Sequence, residues 1–533
     1  MSNLAGTGRL VRFALRRDRF RLGVWVAVLG LVPMITANAL IELYPTEAAR
    51  EQLAATVAST PALIAMLGPL HGSTLGALTA WRIGTLGSVL IGLMAVLTMI
   101  RHTRDEEEAG RRELLGATVV GRHAPLAAAL LVTGGAGSMV GLIVFGGLAM
   151  LGLPMAGSFS FGLGFIGVAA TFAGVGAVAA QLTETAASAR GIGVTLIGVA
   201  FLSRLAGDTS EASLGWMSWI SPVGWFGRLR PFAGERWWVL GLWAGLTVAL
   251  VSIASMISAR RDVGAGALPA RPGPARAGRS LRSPFGLAWR LHRGALVGWT
   301  MGLATIGVVY GYAGDSIGEM LSDNPRLAEI FEMLGGEAGI TDAFFGAAVG
   351  IFGLLSSAFG IRSVLRLRVE EEGRRAEPIL ATATPRERWV GSHLAFGVLG
   401  PGLLLLVAGL TMGLSYGAVS GDTTGQAFRV LGVALAQLPA VWVLTGVAVA
   451  LFGLAPRLTG LSWGVLVTCL LLGQLGQILQ FPQWALNLSP FTHVSRIPAQ
   501  SLAILPLGVL AALASLLTLA GLIGFRSRDL EPG

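Results

Sequence analysis

The chain contains no lysine: all 39 of its cationic residues are arginine. A Walker A loop needs a lysine on the β- and γ-phosphates of its nucleotide, so any nucleotide hydrolysis tied to this chain must come from another subunit. Charge of either sign is scarce, 13% of 533 residues, against about 25% in soluble domains. The single cysteine, Cys469, excludes an internal disulfide framework and a thiolate metal site. The six histidines are scattered without ligand spacing, and no Ser/His/Asp set, carboxylate pair or metal motif lies at usable spacing. Neither enzymatic chemistry nor a cofactor held by this chain is expected. The formal charge of +10 is no nucleic-acid footprint, because the arginines gather at the ends of apolar runs.

What is present is apolar. Hydrophobic residues make up 53%, mean hydropathy is +0.69 and there are 76 glycines. This describes an all-α integral membrane protein with closely packed helices. Hydropathy places six spans in the first half, at about 22–43, 80–100, 124–152, 159–182, 191–205 and 237–258. Six more follow at about 295–313, 343–364, 389–414, 428–454, 459–479 and 501–525. The expected organisation is a first six-span repeat over 1–262, a cytoplasmic linker rich in Arg, Pro and Gly over 263–284, and a second six-span repeat over 285–533. With the N-terminus inside, 30 of the 39 arginines fall in cytoplasmic segments. The positive-inside rule then puts both termini in the cytoplasm of a multi-pass plasma-membrane protein. An even number of spans per half makes the repeats parallel.

The halves echo one another in sequence. Residues 1–21 read as an amphipathic helix on the membrane surface. They return inside the chain, where Ala14, Arg16, Arg19, Leu22 and Trp25 match Ala288, Arg290, Arg293, Leu296 and Trp299. A cleavable leader would have no such internal copy. The loops at 44–79 and 315–342 each pass through Met-Leu-Gly, at Met66-Leu67-Gly68 and Met333-Leu334-Gly335. Ser221-Pro222 and Arg228 match Ser489-Pro490 and Arg496, in segments that read as short re-entrant or interfacial helices on the outer face, or as plain surface loops. The exits of the sixth and twelfth spans match as Arg261-Asp262 and Arg528-Asp529. Ionisable residues avoid the middles of spans. Arg190, Arg204, Arg362 and Arg429 are expected at span ends, where snorkelling covers them, and His393 is the one candidate for a proton relay.

The strongest echo is a charged stretch between the second and third spans of each half. EEEAGRRELLGATVVGR at 106–122 becomes EEEGRRAEPILATATPR at 370–386, 264 residues on without gaps. Acid-before-base pairs at i,i+4 are expected to support a short helix: Glu107 with Arg111, Glu108 with Arg112, Glu370 with Arg374, Glu371 with Arg375. Leu114, Leu115 and Ala117, or Ile379, Leu380 and Ala381, supply an apolar side. A solvated loop with weak surface ion pairs would look similar, but recurrence of the same acids and arginines favours a docking surface.

These residues resemble the coupling helix of type-2 ABC exporter permeases, whose pattern runs E-x-G-x-x-E-x-L-x-x-T-P-x-x-R. SPFTHV before the last span and Arg528-Asp529-Leu530 are similar to that family as well, and the fused twelve-span form resembles the tetronasin-type exporters of polyketide antibiotics. The first copy departs in having Val119-Val120-Gly121 where Thr-Pro belongs, and the second has Pro378 where leucine is usual. The resemblance implies a permease that docks two copies of an ATP-binding subunit, which hold ATP and Mg2+. The docking residues would be Glu107, Glu108, Arg111, Arg112 and Glu113, with Glu371, Glu372, Arg374, Arg375 and Glu377. It implies export of hydrophobic or amphipathic compounds, that is multidrug efflux and antibiotic resistance, by alternating access. On that mechanism, cargo contacts are expected at Trp81, Met94, Phe344, Phe345 and Phe352. The rival reading is a proton-coupled efflux transporter of the major facilitator type. A membrane enzyme acting on lipids is a third, opposed by the missing catalytic cluster.

Overall fold

A computed structural model describes residues 3–59, 61–112, 119–209, 211–262, 264–268, 276, 278–322, 336–475, 482–494 and 503–529. Among them every regular element is a helix, and eleven helical segments, Thr423–Leu454 counted as one, are long and apolar enough to cross a membrane. The chain divides into two compact units, Met1–Gly273 and Pro274–Gly533.

The first unit is built on six long helices: α1 (Thr7–Leu43), α2 (Leu75–Arg101), α3 (Ala124–Met150), α4 (Met155–Leu182), α5 (Ala186–Thr209) and α6 (Val239–Arg260). The surface helix expected over 1–21 and the first span form one rod, kinked at Asp18, where φ is −104° and ψ 15°. Asp18 accepts hydrogen bonds of 2.7 and 2.9 Å from Arg101 at the end of α2, which ties down the kinked turn. α4 is the centre of the unit and packs against α2, α3 and α6, while α1 lies on α3 and α2. Phe161, Phe165 and Phe172 of α4, with Trp243 of α6 and Phe226, fill the core. Two glycines let α3 and α4 touch along their backbones, because a Cβ on Gly141 would meet the Gly162 carbonyl oxygen at 2.6 Å.

The second unit begins with α7 (Pro284–Ser322), α8 (Gly336–Glu372) and α9 (Arg386–Ser420). The span expected over 428–454 is two helices, α10 (Thr423–Leu435) and α11 (Leu438–Leu454). Pro439, in the first turn of α11, cannot donate the next ladder bond. α12 (Leu461–Leu475) is 15 residues long, shorter than the expected span at 459–479, whose last residues lie outside the described ones. α13 (Ile504–Ser527) closes the unit. α9 packs on α7, α8 and α10, and α11 packs on α13 and α8.

Short helices connect the rods of the first unit. Glu47–Ser59 and Pro61–Leu67 precede α2, and Trp216–Ile220 and Gly224–Leu229 lie between α5 and α6. The re-entrant or surface segment around Ser221-Pro222 is thus helical, and Trp225, Phe226 and Leu229 are buried. Of its counterpart, Pro490–His493 is a single 3-10 turn, and Arg496 lies outside the described residues, as do Met333-Leu334-Gly335. The linker expected over 263–284 starts bonded to its own unit: the amides of Ala267 and Leu268 donate to the carbonyls of Gln181 and Leu182 at 2.9 and 3.0 Å.

Candidate functional site

Both charged stretches open with the same turn. In the second, the Arg374 N–H donates to the Glu371 carbonyl at 2.9 Å and the Arg375 N–H to the Glu370 carbonyl at 3.0 Å. Arg374 has φ +54°. This is a Schellman close of α8, with Arg374 in the left-handed position. Gly110 occupies the equivalent place in the first stretch, with φ +70° and its N–H on the Glu107 carbonyl at 3.0 Å. The turn folds the following arginine back over the acid five residues earlier. Arg111 Nε therefore donates to Glu106 at 2.7 Å, and Arg375 Nε to Glu370 at 2.7 Å. The pairing is i,i+5, not the expected i,i+4, because the helix has ended before the arginine arrives. The apolar side of the first stretch, with Glu113, falls in residues 113–118, outside the described ones. The second continues as a one-turn helix, Glu377–Leu380.

The acids themselves separate into buried and exposed sets. Glu107 is 7% exposed and Glu371 3%. Glu107 receives Arg104 at 2.5 Å, Arg261 at 2.7 Å and also Arg112. Glu371 is held by both guanidinium nitrogens of Arg528, at 2.7 and 2.8 Å, with Arg368 at 3.6 Å. Arg261 and Arg528 stand at the matched exits of α6 and α13. Glu106 meets Arg17 of α1 at 2.5 Å, and Glu108 accepts the Ala186 amide at 2.9 Å, at the start of α5. Asp105 pairs with Arg190, also on α5. Farther along, Arg122 reaches the Ser258 carbonyl of α6 at 3.5 Å, and Arg386 the Arg528 carbonyl at 2.8 Å. The outward-facing members are Glu108, Arg111, Glu372, Arg374, Arg375 and Glu377. Burial, then the charges of Arg261, Arg104 and Arg122, lower the Arg112 guanidinium to about 10, so it stays cationic at neutral pH. Burial likewise lowers Arg261, while the hydrogen bond to Glu106 raises Arg111.

With this geometry in view, comparison with known proteins is informative. Over 532 residues the chain is 43% identical to "Multidrug efflux system permease protein Rv1217c" of Mycobacterium tuberculosis, covering 99% of this chain and 96% of that protein. The chain belongs to that permease family. Residues 281–526 match the family described as "Multidrug efflux system permease Rv1217c, C-terminal domain". That region contains the second charged stretch of the permease, Glu371 and Arg368 included.

The other expected site residues of the permease sit inside their own units. Trp81 is 8% exposed and donates its indole N–H to the Gly68 carbonyl at 2.8 Å, which pins the Met-Leu-Gly turn. Met94, Phe345 and Phe352 are buried. Phe344 is half-buried and stacks on Tyr310, with ring centroids 5.6 Å apart. Arg204 does not snorkel: it is 2% exposed, pairs with Asp208 at 2.7 Å and donates to the carbonyls of Ile64, Ala65 and Met66. A cation thus caps the end of the helix Pro61–Leu67. His393 lies 2.9 Å from His292 of α7, and both rings are buried. Sequence reasoning missed His292, Arg104 and Arg368. The 264-residue offset that aligns the acids also aligns Arg104 with Arg368, so that pair was findable.

Proposed function

We propose that this chain is the membrane permease of an ATP-driven ABC exporter that moves hydrophobic or amphipathic compounds out of the cell. The observation that carries the reading is the reuse of one left-handed, ion-paired turn at both charged stretches, each presenting arginine and acid outward beside a buried glutamate. In this reading each stretch docks one of two ATP-binding subunits, which hold ATP and Mg2+, and the permease resembles the tetronasin-type exporters. It has twelve spans in two parallel six-span repeats, with both termini on the cytoplasmic side of the plasma membrane. Support comes from within each unit: α1 packs on α3 and α4 on α6, as α7 packs on α9 and α11 on α13. The printed name of the Mycobacterium tuberculosis relative supports the cargo class.

Charge reversal at Glu107 or Glu371 would disturb folding along with docking, because both are buried. Arg111 and Arg375, with side chains 48% and 57% exposed, are the cleaner probes. The double variant Arg111→Gln/Arg375→Gln leaves Glu106 on Arg17 and Glu370 on Arg366, and is expected to keep its fold and to lose the ATP-binding subunit on co-purification. Undiminished co-purification would contradict the docking assignment. The His292–His393 contact favours a second reading, proton-coupled efflux, since two titratable rings meet within the spans. Transport that survives ATP depletion, collapses with the proton gradient and is lost in His393→Gln would support it.

A further inference from the structure

Each charged stretch is tied at two points to the last helix of its unit. At its entry, Glu107 takes Arg261 and Glu371 takes Arg528. At its exit, Arg122 reaches the Ser258 carbonyl and Arg386 the Arg528 carbonyl. The entry pairs close loops of different length, 154 and 157 residues, so the pairing survives where the intervening chain has changed. These are not surface ion pairs: the side chains are 6% and 1% exposed in the first pair, 14% and 2% in the second. The Arg528 guanidinium also lies 5.1 Å from the ring centres of both Phe452 and Phe525, and Arg261 donates to Gln181 at 2.6 Å and to the Ala265 carbonyl at 2.8 Å. Separating such a pair strands a buried charge without its partner.

We propose that Arg261 and Arg528 are positioning residues that lock the closing end of α6 and of α13 to the charged stretch of the same unit, so that stretch and helix move as one body. The inference rests on the docking role proposed above. A push on the exposed turn then reaches the last helix directly, without passing through α2 or α3 on one side or α8 or α9 on the other.

The test uses the full permease with its ATP-binding subunit in lipid nanodiscs. In a Cys469→Ser background, spin labels at the exposed Ala383→Cys and at Arg526→Cys report the distance between the second stretch and α13, with and without trapped ATP. The expected result is one unchanged distance in both states, which becomes ATP-dependent when Arg528→Gln is added. A distance that changes with ATP while Arg528 is intact would overturn the lock. Permease-stimulated ATP hydrolysis per bound subunit provides the second readout. It is expected to fall at least about fivefold in Arg528→Gln, the lower range of typical site-to-site coupling, and to recover in part in Arg528→Lys. A purely structural arginine would lower the folded yield and leave hydrolysis per bound subunit unchanged, and that result also overturns the proposal. If the ATP-binding subunit fails to bind the unsubstituted permease, the docking role and the lock fall together. If it binds and only the lock fails, the docking role stands.

Discussion

Glu371 and Glu372 are adjacent in sequence and have opposite fates. Glu371 is buried against a two-pronged arginine, whereas the Glu372 side chain is 50% exposed and pairs with Arg368. Removing one partner of a buried pair costs about 3–5 kcal/mol, while an exposed pair contributes about 0–1 kcal/mol. Thermal unfolding in detergent is therefore expected to show Glu371→Ala strongly destabilised and Glu372→Ala close to the parent. Arg374 offers a gain: it holds a left-handed conformation that costs a side-chain-bearing residue about 1–2 kcal/mol, and its counterpart is Gly110. Arg374→Gly is expected to raise the melting temperature. His71 sets a pH dependence. Burial, then the charges of Arg230, Arg228 and Arg236, lower its imidazole to about 4, while the unfolded chain titrates near 6.5. Between those values the unfolded state binds more protons, so stability falls as pH drops from about 6.5 toward 4. His71→Gln is expected to flatten that limb of a stability–pH curve. Repetition made these acids and arginines visible in sequence. Which of them are buried was not, because burial of Glu371 depends on Arg528, 157 residues away.

Helices were the readable elements, since apolar runs near span length leave few alternatives. Their ends and breaks were less so. α1 runs through the expected surface helix because the backbone stays helical on both sides of the Asp18 kink. The span near 428–454 divides after Leu435, a break that a hydropathy average passes over. Close approach between helices was legible only as a surplus of glycine. Gly453 of α11 and Gly521 of α13 show its use: a Cβ on Gly453 would collide with the Gly521 carbonyl, and one on Gly521 with the Val449 carbonyl. Gly453→Val is expected to destabilise by about 1–3 kcal/mol or more through overpacking. Gly464 of α12 has no atom within 4 Å of such a Cβ, so Gly464→Ala is expected to stabilise by about 1 kcal/mol through helix propensity. Melting curves of the two variants side by side separate contact glycines from incidental ones.

For the whole molecule, the missing lysine and the repeated arginine turn lead to one account. In that account the motor lies on another subunit, and each of the two units offers one outward-facing turn ion-paired to the exit of its last helix. The aromatic residues expected along a cargo path illustrate what composition leaves open. Phe345 and Phe352 are apolar and near a span, as path residues would be, and they also lie in the core of the second unit. Apolar character alone does not separate the two roles. The most direct measurement is efflux of a lipophilic fluorescent dye from proteoliposomes containing the permease, with and without its ATP-binding subunit. The account expects dye movement and ATP hydrolysis to appear together, only when both proteins and ATP are present, and to persist after a protonophore collapses the pH gradient. Dye movement driven by the pH gradient in the absence of ATP would contradict it.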